Sequence, residues 1–498
     1  MSKSATFISL GTIVLDRTID LPLYRQLYQA LRGAILSGQL VPCTRLPSTR
    51  VLAQELNVSR NTVVNAYDQL VAEGYIESLV GSGTCVTPTL PDEILHVNIR
   101  STTWSLNAPA RLTSSPRLSE QAKRLIAVPF VPQSEPQAFR PGLPALDAFP
   151  FKVWSKLLQK SWQSLSANQL GYHDVMGYWP LRQAIVSYLQ TARGVRCAPE
   201  QVLITNGAQQ ALTLSTTVLL NHDEAAWLEN PCYDGAKAAL ESARASIVPV
   251  TVDDNGLIVN EGIAKAAEAR LAIVSPSHHY PLGVTMSLTR RLQLLQWVHD
   301  AEAWILEDDY DSAYRYSGNP LSALQGLDNT GRVIYIGSFS KELFPTLRLG
   351  YMVVPYDLIN AFRAIRAHTD RGSALLEQVV LTHFINEGHF ARHIRRMRGL
   401  YAQRQAIFIQ AVKTYLRGLL DVEPNDTGLH LVGWLPKGVD DKYVSEQLLL
   451  NGINTPSLSS YAIRPLTRGG LVLGYTAIPN DKIAIAVKRM KPVLAKLI

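Results

Sequence analysis

The chain has 498 residues, of which 47% are hydrophobic and 18% charged, with a formal net charge of +7, an ordinary globular composition at a length that holds several domains. Its four cysteines, Cys43, Cys85, Cys197 and Cys232, stand alone, which argues against a zinc site or a disulfide framework and fits a reducing cytosol. No apolar run approaches the roughly 18 residues of a spanning helix, and the first residues lack the basic start and clean apolar core of a signal peptide, so a cytoplasmic protein without a membrane role is expected.

The positive excess does not sit at the start. Residues 1–90 carry seven Lys/Arg against six Asp/Glu, so a polyanion bound there must be met by a few placed cations, not by bulk charge. Within that stretch "PLYRQLYQALRGAILSG" puts Leu23, Leu27, Ala30, Leu31 and Ala34 on one helical face. Pro22 suits its first turn and Gly38 its C-terminal cap. "LPSTRVLAQELNVSRNTVVNAYDQLVAEGY" predicts two further helices. Ser48 caps one that runs to Leu56; Ser59 caps a second, with Val63, Tyr67, Leu70 and Val71 on its apolar face, and Gly74 ends it. Two short capped helices joined by a tight turn form the helix-turn-helix plan, and "YIESLVGSGTCVT" reads as a two-stranded wing.

Reading of double-stranded DNA fits this layout. The first turn of the second helix is Ser59, Arg60, Asn61 and Thr62, and a recognition helix presents that turn to base edges in the major groove. Arginine and asparagine match guanine and adenine edges in bidentate geometry. Arg45, Thr49 and Arg50 supply positioning contacts to phosphates. A small helical protein-interaction module is the bland alternative. The whole stretch from "PLYRQLYQ" to "GSGTCV" resembles the winged helix-turn-helix of GntR-type bacterial regulators, which implies a DNA-binding function.

Between Thr87 and about Ala138 the texture turns Pro-, Ser- and Thr-rich with weak periodicity, as in "TPTLPDEILHVNIRSTTWSLNAPARLTSSPRLSEQ", and a long, partly ordered connector is expected. The expected division is a DNA-binding domain over 16–88, a linker over 89–138 and a large domain over 139–498.

In the large region short apolar runs alternate with helical stretches: "QVLIT", "EAAWLE", "LAIVS", "AWILED", "RVIYIGS" and "LGYMVV". Unalternating apolar strands predict a mostly parallel sheet flanked by helices, an α/β domain. Polar clusters follow the strands, where such folds place their sites: "TNGAQQ", "NPCYDG", "PSHHYPLG", "DDYD" and "SFSK". Late in the chain comes a basic run, "HFARHIRRMRGLYAQR", read as a solvated or interface helix face.

Lys341 stands in "SFSK" directly after a strand, with Ser338 and Ser340 beside it, Arg348 shortly after and Asp308 at the end of another strand. A phosphorylated pyridine aldehyde asks for this set: a lysine for a Schiff base, a carboxylate for the ring nitrogen and a cup of donors for the phosphate. Backbone amides of "NGAQQ" at a helix start would complete the cup, and Tyr233 would stack on the ring. A Mg²⁺ site on Glu307, Asp308, Asp309 and Asp311 is the runner-up, but it leaves the lysine and arginine idle; no metal is expected.

"ITNGAQQAL", "ENPCYDGAKAAL", "SPSHHYPLGVTMSLTRR", "ILEDDYDSAYRY" and "GSFSKELFPTLRLGYMVVP" together resemble MocR-type regulators, a GntR subfamily in which a fold type I, aminotransferase-like domain follows the winged helix. The resemblance covers nearly the whole chain in order. It implies pyridoxal 5'-phosphate (PLP) held on Lys341, with Asp308 at the pyridine nitrogen, Tyr310 at the ring hydroxyl and Tyr233 on the ring. It puts Ser338, Ser340, Ala208 and Gln209 at the phosphate, Arg348 near the phosphate or an effector, and His278 as a further site residue. It also implies a homodimer, which suits an operator with paired half-sites.

One departure stands out. Aminotransferases of this fold hold the substrate carboxylate with an arginine near the C-terminus. Here neither Arg464 nor Arg468 matches that place, and Ser460 stands where the arginine is expected. PLP itself, or PLP with an amine or amino acid, is then the expected signal of a regulator of vitamin B6 or amine metabolism. The alternative is a working aminotransferase with an appended DNA-binding head.

Overall fold

The computed structural model describes residues 13, 15–79, 83–88, 118–126, 138–317 and 321–498. The chain divides into two compact units, Met1–Ser115 and Pro116–Ile498.

In the smaller unit α1 (Leu23–Leu36) buries Leu27, Leu31 and Ile35. Its N-cap is Pro22, one position ahead of the first turn where the sequence had suggested it. Ser48 caps α2 (Thr49–Glu55) by accepting from the Val51 amide, and Ser59 caps α3 (Arg60–Ala72) by accepting from Thr62. The buried face of α3 is Val63, Ala66, Tyr67 and Leu70. Val71, expected on that face, is 42% exposed; the stripe runs i, i+3, i+4, i+7 from Val63, and residue 71 is turned past its edge. Strands β1 (Ile76–Leu79) and β2 (Gly83–Val86) pair antiparallel, Glu77 opposite Cys85, and Arg45 forms a bridge to Cys85 from the other side. Tyr67 ties α3 back to the segment before α2 through a 2.9 Å bond to the Pro47 carbonyl. Of the connector 89–138, most lies outside the described residues. The part that is described holds a helix, Glu120–Ile126, where Gln121 bonds the carbonyl and hydroxyl of Ser242.

The larger unit is built on an eight-stranded sheet. Its strands are β3 (Val202–Thr205), β4 (Ala225–Asn230), β5 (Ser246–Asp253), β6 (Gly256–Leu257), β7 (Leu271–Val274), β8 (Trp304–Asp309), β9 (Val333–Ser338) and β10 (Gly350–Val353), in the order β3-β10-β9-β8-β7-β4-β5-β6. Strands β5, β4, β7, β8 and β9 run parallel. Strand β10 runs antiparallel to both β9 and β3, so the sheet is mostly but not wholly parallel. The connection from Ser338 to Gly350 holds only one helical turn and a 3₁₀ turn, too short for the crossover a parallel return needs.

Successive strand residues serve opposite faces. Leu228, Ile273, Leu306, Ile336 and Met352 pack with Ala211 and Leu212 of helix Ala208–Leu219 and with Leu240 of helix Asp234–Ala243. Trp227, Ala272, Val274 and Ile305 pack on the other side against Leu294 and Trp297 of helix Leu288–Asp300. Both faces are therefore covered, which explains why the strands read as unbroken apolar runs. A three-stranded sheet, β11 (Asp421–Val422), β12 (His430–Trp434) and β13 (Gly470–Gly474), with helices Asp441–Leu450 and Asn480–Leu497, completes the unit. Among the described residues no helix is long and apolar enough to cross a membrane.

Candidate functional site

The parallel strands β4, β7, β8 and β9 end on one edge of the large sheet, and β3 ends there too because Gly350 of β10 pairs with both Thr205 and Ser338. A cavity of about 180 Å³ opens at that edge. Its lining is Pro141, Gly142, Gly207, Ala208, Gln209, Tyr233, Tyr280, Asp308, Tyr310, Ser338, Ser340, Lys341, Arg348 and His430. Nine residues named from the sequence are thus brought together: Ala208, Gln209, Tyr233, Asp308, Tyr310, Ser338, Ser340, Lys341 and Arg348.

Lys341 lies in the helical turn Phe339–Glu342 that follows β9. Its Nζ donates 2.8 Å to the Gly142 carbonyl. Burial lowers its amine below the usual lysine range, against the pull of Asp311 and Asp308 and with added repulsion from Arg140. A lysine that sheds its proton more readily is a better nucleophile.

Asp308 is 6% exposed. Burial, with Asp309 and Asp311 close by, pushes its carboxyl up to about 7, Lys341 opposing. Its Oδ1 is buried without a hydrogen-bond partner. Because side chains alternate along β8, its neighbours serve other ends. Glu307 accepts from the amides of Leu324 and Gln325, fixing the helix Leu324–Leu327. Asp309 takes Arg193 at 2.8 Å and the Tyr335 hydroxyl at 2.6 Å. The Mg²⁺ cluster weighed in the sequence is therefore dispersed.

At the other end of the cavity, helix Ala208–Leu219 begins after Gly207, whose φ of +86 and ψ of 174 lie where only glycine is comfortable. Arg348 also has a left-handed backbone, φ +51. Its guanidinium donates 2.8 Å to the Asn206 carbonyl and lies 3.5 Å from where a Cβ on Gly207 would stand. The helix start, the guanidinium and the Ser338 and Ser340 hydroxyls converge as an anion cradle. The Ser340 hydroxyl is buried and unpartnered.

His278 does not line the cavity. It stands behind Tyr310, with Nδ1 2.9 Å from Asp311 Oδ2 and 3.0 Å from the Tyr310 hydroxyl. Arg464 and Arg468 are also away from it: Arg464 is exposed, and Arg468 bonds the Leu435 carbonyl and covers the Trp434 ring. Ser460 bonds the Ser457 carbonyl instead. Gly207 falls within the "NGAQQ" named for its backbone amides, and the four remaining lining residues were missed. Tyr280 lay inside the quoted "SHHYPLG", and Pro141 and Gly142 form a Pro-Gly turn after the connector; His430 carries no local signal, since it arrives from β12.

In the smaller unit, Arg45, Arg50, Ser59, Arg60 and Asn61 are exposed, and Thr49 and Thr62 partly so. Arg60 Nε approaches the Thr49 hydroxyl at 3.4 Å, joining α2 and the first turn of α3 in one polar surface. Arg45 leans on the wing, 3.0 Å from a Cβ placed on Gly83.

Residues 144–489 match the family "Aminotransferase class I and II", and residues 23–86 match "Bacterial regulatory proteins, gntR family". The chain is 42% identical over 469 residues to the probable rhizopine catabolism regulatory protein MocR of Rhizobium meliloti, covering 94% of this chain and 92% of that one. The chain belongs to the MocR-type branch of the GntR regulators. This MocR-type chain is also 29% identical over 462 residues to the pyridoxine biosynthesis regulator PdxR of Corynebacterium glutamicum, over 92% and 93% of the two chains. The crystal structure of Pyrococcus horikoshii kynurenine aminotransferase in complex with PMP superposes with a TM-score of 0.67 at 27% identity, over 76% of this chain and 95% of that one. The chain is a DNA-binding regulator of the GntR type with an aminotransferase-like domain.

The aminotransferase class I and II domain indicates pyridoxal 5'-phosphate as cofactor. The residues fit it. Among the described residues the buried Asp308 Oδ1 and Ser340 hydroxyl have no hydrogen-bond partner, and a carboxylate and a hydroxyl donor are the kinds of group that a pyridine nitrogen and a phosphate take.

Proposed function

We propose that this MocR-type regulator holds PLP in the Lys341 cavity and converts the occupancy of that cavity into a change in promoter binding. The observation that supports it is the gathering of Lys341, Asp308, Tyr310, Ser338, Ser340 and Arg348 around one cavity in a chain whose other unit is a capped helix-turn-helix. Lys341 would carry the cofactor covalently, Asp308 would face the ring nitrogen, Tyr310 the ring hydroxyl and Tyr233 the ring face. Ser338, Ser340, Arg348 and the amides of Ala208 and Gln209 would hold the phosphate. When bound, PLP supplies an electrophilic carbonyl carbon that reacts with amines. His278 and Asp311 orient Tyr310 from behind.

The ligand class follows from what the cavity lacks. Arg348 is the arginine that lines it, and it is drawn to the phosphate end. The reading favours PLP, alone or with an amine or amino acid, as the signal in a cytoplasmic homodimer, with target genes in vitamin B6 or amine metabolism. In the smaller unit Arg60 and Asn61 would read base edges, while Arg45, Thr49, Arg50, Ser59 and Thr62 would position the duplex. A regulator needs only a coupling of about 1–3 kcal/mol between ligand and DNA. A catalyst needs far more transition-state stabilisation. The test is a DNA-binding titration against the region upstream of the chain's own gene, with and without PLP. A shifted affinity supports the reading. Steady transamination of a common amino acid with DNA affinity unmoved by PLP favours the enzyme alternative.

A further inference from the structure

The basic run of the long helix takes no part in lining the cofactor cavity. Helix His389–Tyr415 starts after Gly388 with no side chain capping it and no acid in its first turn. His389, Arg392, His393 and Arg396 follow at i, i+3, i+4 and i+7, so they share one face. With Pro150 and Val153 they line a second cavity of about 240 Å³, and among the described residues no carboxylate lines it.

The donors there are only partly used. Arg392 gives one nitrogen to the Glu387 carbonyl and to His389 Nδ1, each at 2.9 Å. Arg396 donates to the Ala148 carbonyl. A guanidinium has five N–H groups, so both keep donors in reserve. His393 is 4% exposed. Its Nε2 lies 3.1 Å from the Glu342 carbonyl, which makes Nε2 the protonated nitrogen and leaves Nδ1 bare. Among the described residues that buried Nδ1 has no partner.

We propose that this cavity binds a phosphate-class anion, free inorganic phosphate or a phosphate of a nucleic-acid backbone, between Arg392, Arg396, a protonated His393 and the uncapped helix start. Helix N-termini favour anions through their free amides and dipole. Burial and Arg396 push His393 down to about 4, against the Glu342 carbonyl. An anion at Nδ1 favours the imidazolium, so binding takes up a proton and tightens as pH falls. Two carboxylates stand near, of which Glu342 keeps Oε2 without a partner among the described residues. The Glu387 carboxylate takes Lys160 at 3.0 Å and lies 3.5 Å from His383 and 3.6 Å from His389. The Glu342 side chain is buried and faces Tyr188. The cavity shares no lining residue with the Lys341 site, so the cofactor's own phosphate is not its occupant.

The test uses the full chain loaded with PLP, so that the cofactor's phosphate cradle is filled. Thermal unfolding is compared in inorganic phosphate and in chloride at matched ionic strength. The expected result is a phosphate-specific rise in Tm, larger near pH 6 than near pH 8, and lost in the double variant Arg392→Gln/Arg396→Gln. An unchanged visible cofactor band shows that variant to be folded. The absence of a phosphate-specific rise in wild type, or a rise undiminished in the variant, overturns the proposal. The salt dependence of binding to non-operator duplex separates the two sources. A slope shallower by about 1 in the variant assigns the site to nucleic-acid phosphate. An equal slope beside the Tm effect assigns it to the free anion.

Discussion

Lys341 is parked on Gly142: its Nζ donates 2.8 Å to the Gly142 carbonyl, and a Cβ on Gly142 would stand 2.8 Å from that nitrogen. The glycine has φ +75, so a side chain there meets both the amine and its own backbone strain. Gly142→Ala is expected to cost about 1 kcal/mol through the backbone and to push the amine off its place. The measurement is a PLP titration followed by visible absorbance: the curve should move to higher PLP while far-UV circular dichroism stays native. Lys341→Ala should lack the protein-bound imine band at every PLP concentration, leaving only the spectrum of free PLP.

Asp308 gives a pH signature. Its folded-state carboxyl is raised to about 7 from 3.8, so between those values the native chain binds more protons than the unfolded one. Stability of the cofactor-free chain therefore falls as pH rises from about 4 to 7, by up to about 1.4 kcal/mol per pH unit for this group. Asp308→Asn should lessen that slope by one group's share in denaturant titrations, the raised carboxyls of Glu229, Glu307 and Glu342 keeping theirs. An identical slope in the variant would remove Asp308 from the account.

The six strands expected at the sequence level are all present, and the reason is physical. Buried on both faces, they show as short apolar runs, each followed by a polar cluster. Strand β5 was not legible because Pro249 and the polar Thr251 break its run, and β6 and β11 are two residues each. The capped helices of the DNA-binding unit were legible because Ser48 and Ser59 mark their starts locally. At the site, residues on strand ends could be read, since each follows an apolar run. Gly142 and His430 could not, because they reach the cavity through tertiary packing from distant segments. The direction of β10 is likewise not written in the strand itself: it depends on the length of the connection from β9.

Arg193 donates 2.8 Å to Asp309 and 2.6 Å to the Ser277 hydroxyl while nearly fully buried. Arg193→Leu leaves Asp309 buried with the Tyr335 hydroxyl but no cation. A loss of about 3–5 kcal/mol is expected, read as a fall in Tm. Arg290, paired with Asp253 in a partly exposed site, should lose no more than about 1 kcal/mol on the same change.

In the DNA-binding unit two neighbouring substitutions should separate stability from reading. Ser59→Ala removes the oxygen that accepts 3.1 Å from the Thr62 amide and should cost about 1 kcal/mol of stability. Arg60→Ala should leave stability unchanged and weaken operator binding by about 1–3 kcal/mol while sparing random duplex. An equal loss on both duplexes would make Arg60 a phosphate contact.

The central claim is that PLP on Lys341 alters the grip on DNA, and the most direct measurement is the ratio of promoter-fragment affinities with and without PLP in wild type and in Lys341→Ala. The account predicts a ratio of about 5- to 150-fold in wild type and a ratio of one in the variant. A wild-type ratio of one, or the same shifted ratio in both proteins, would contradict it.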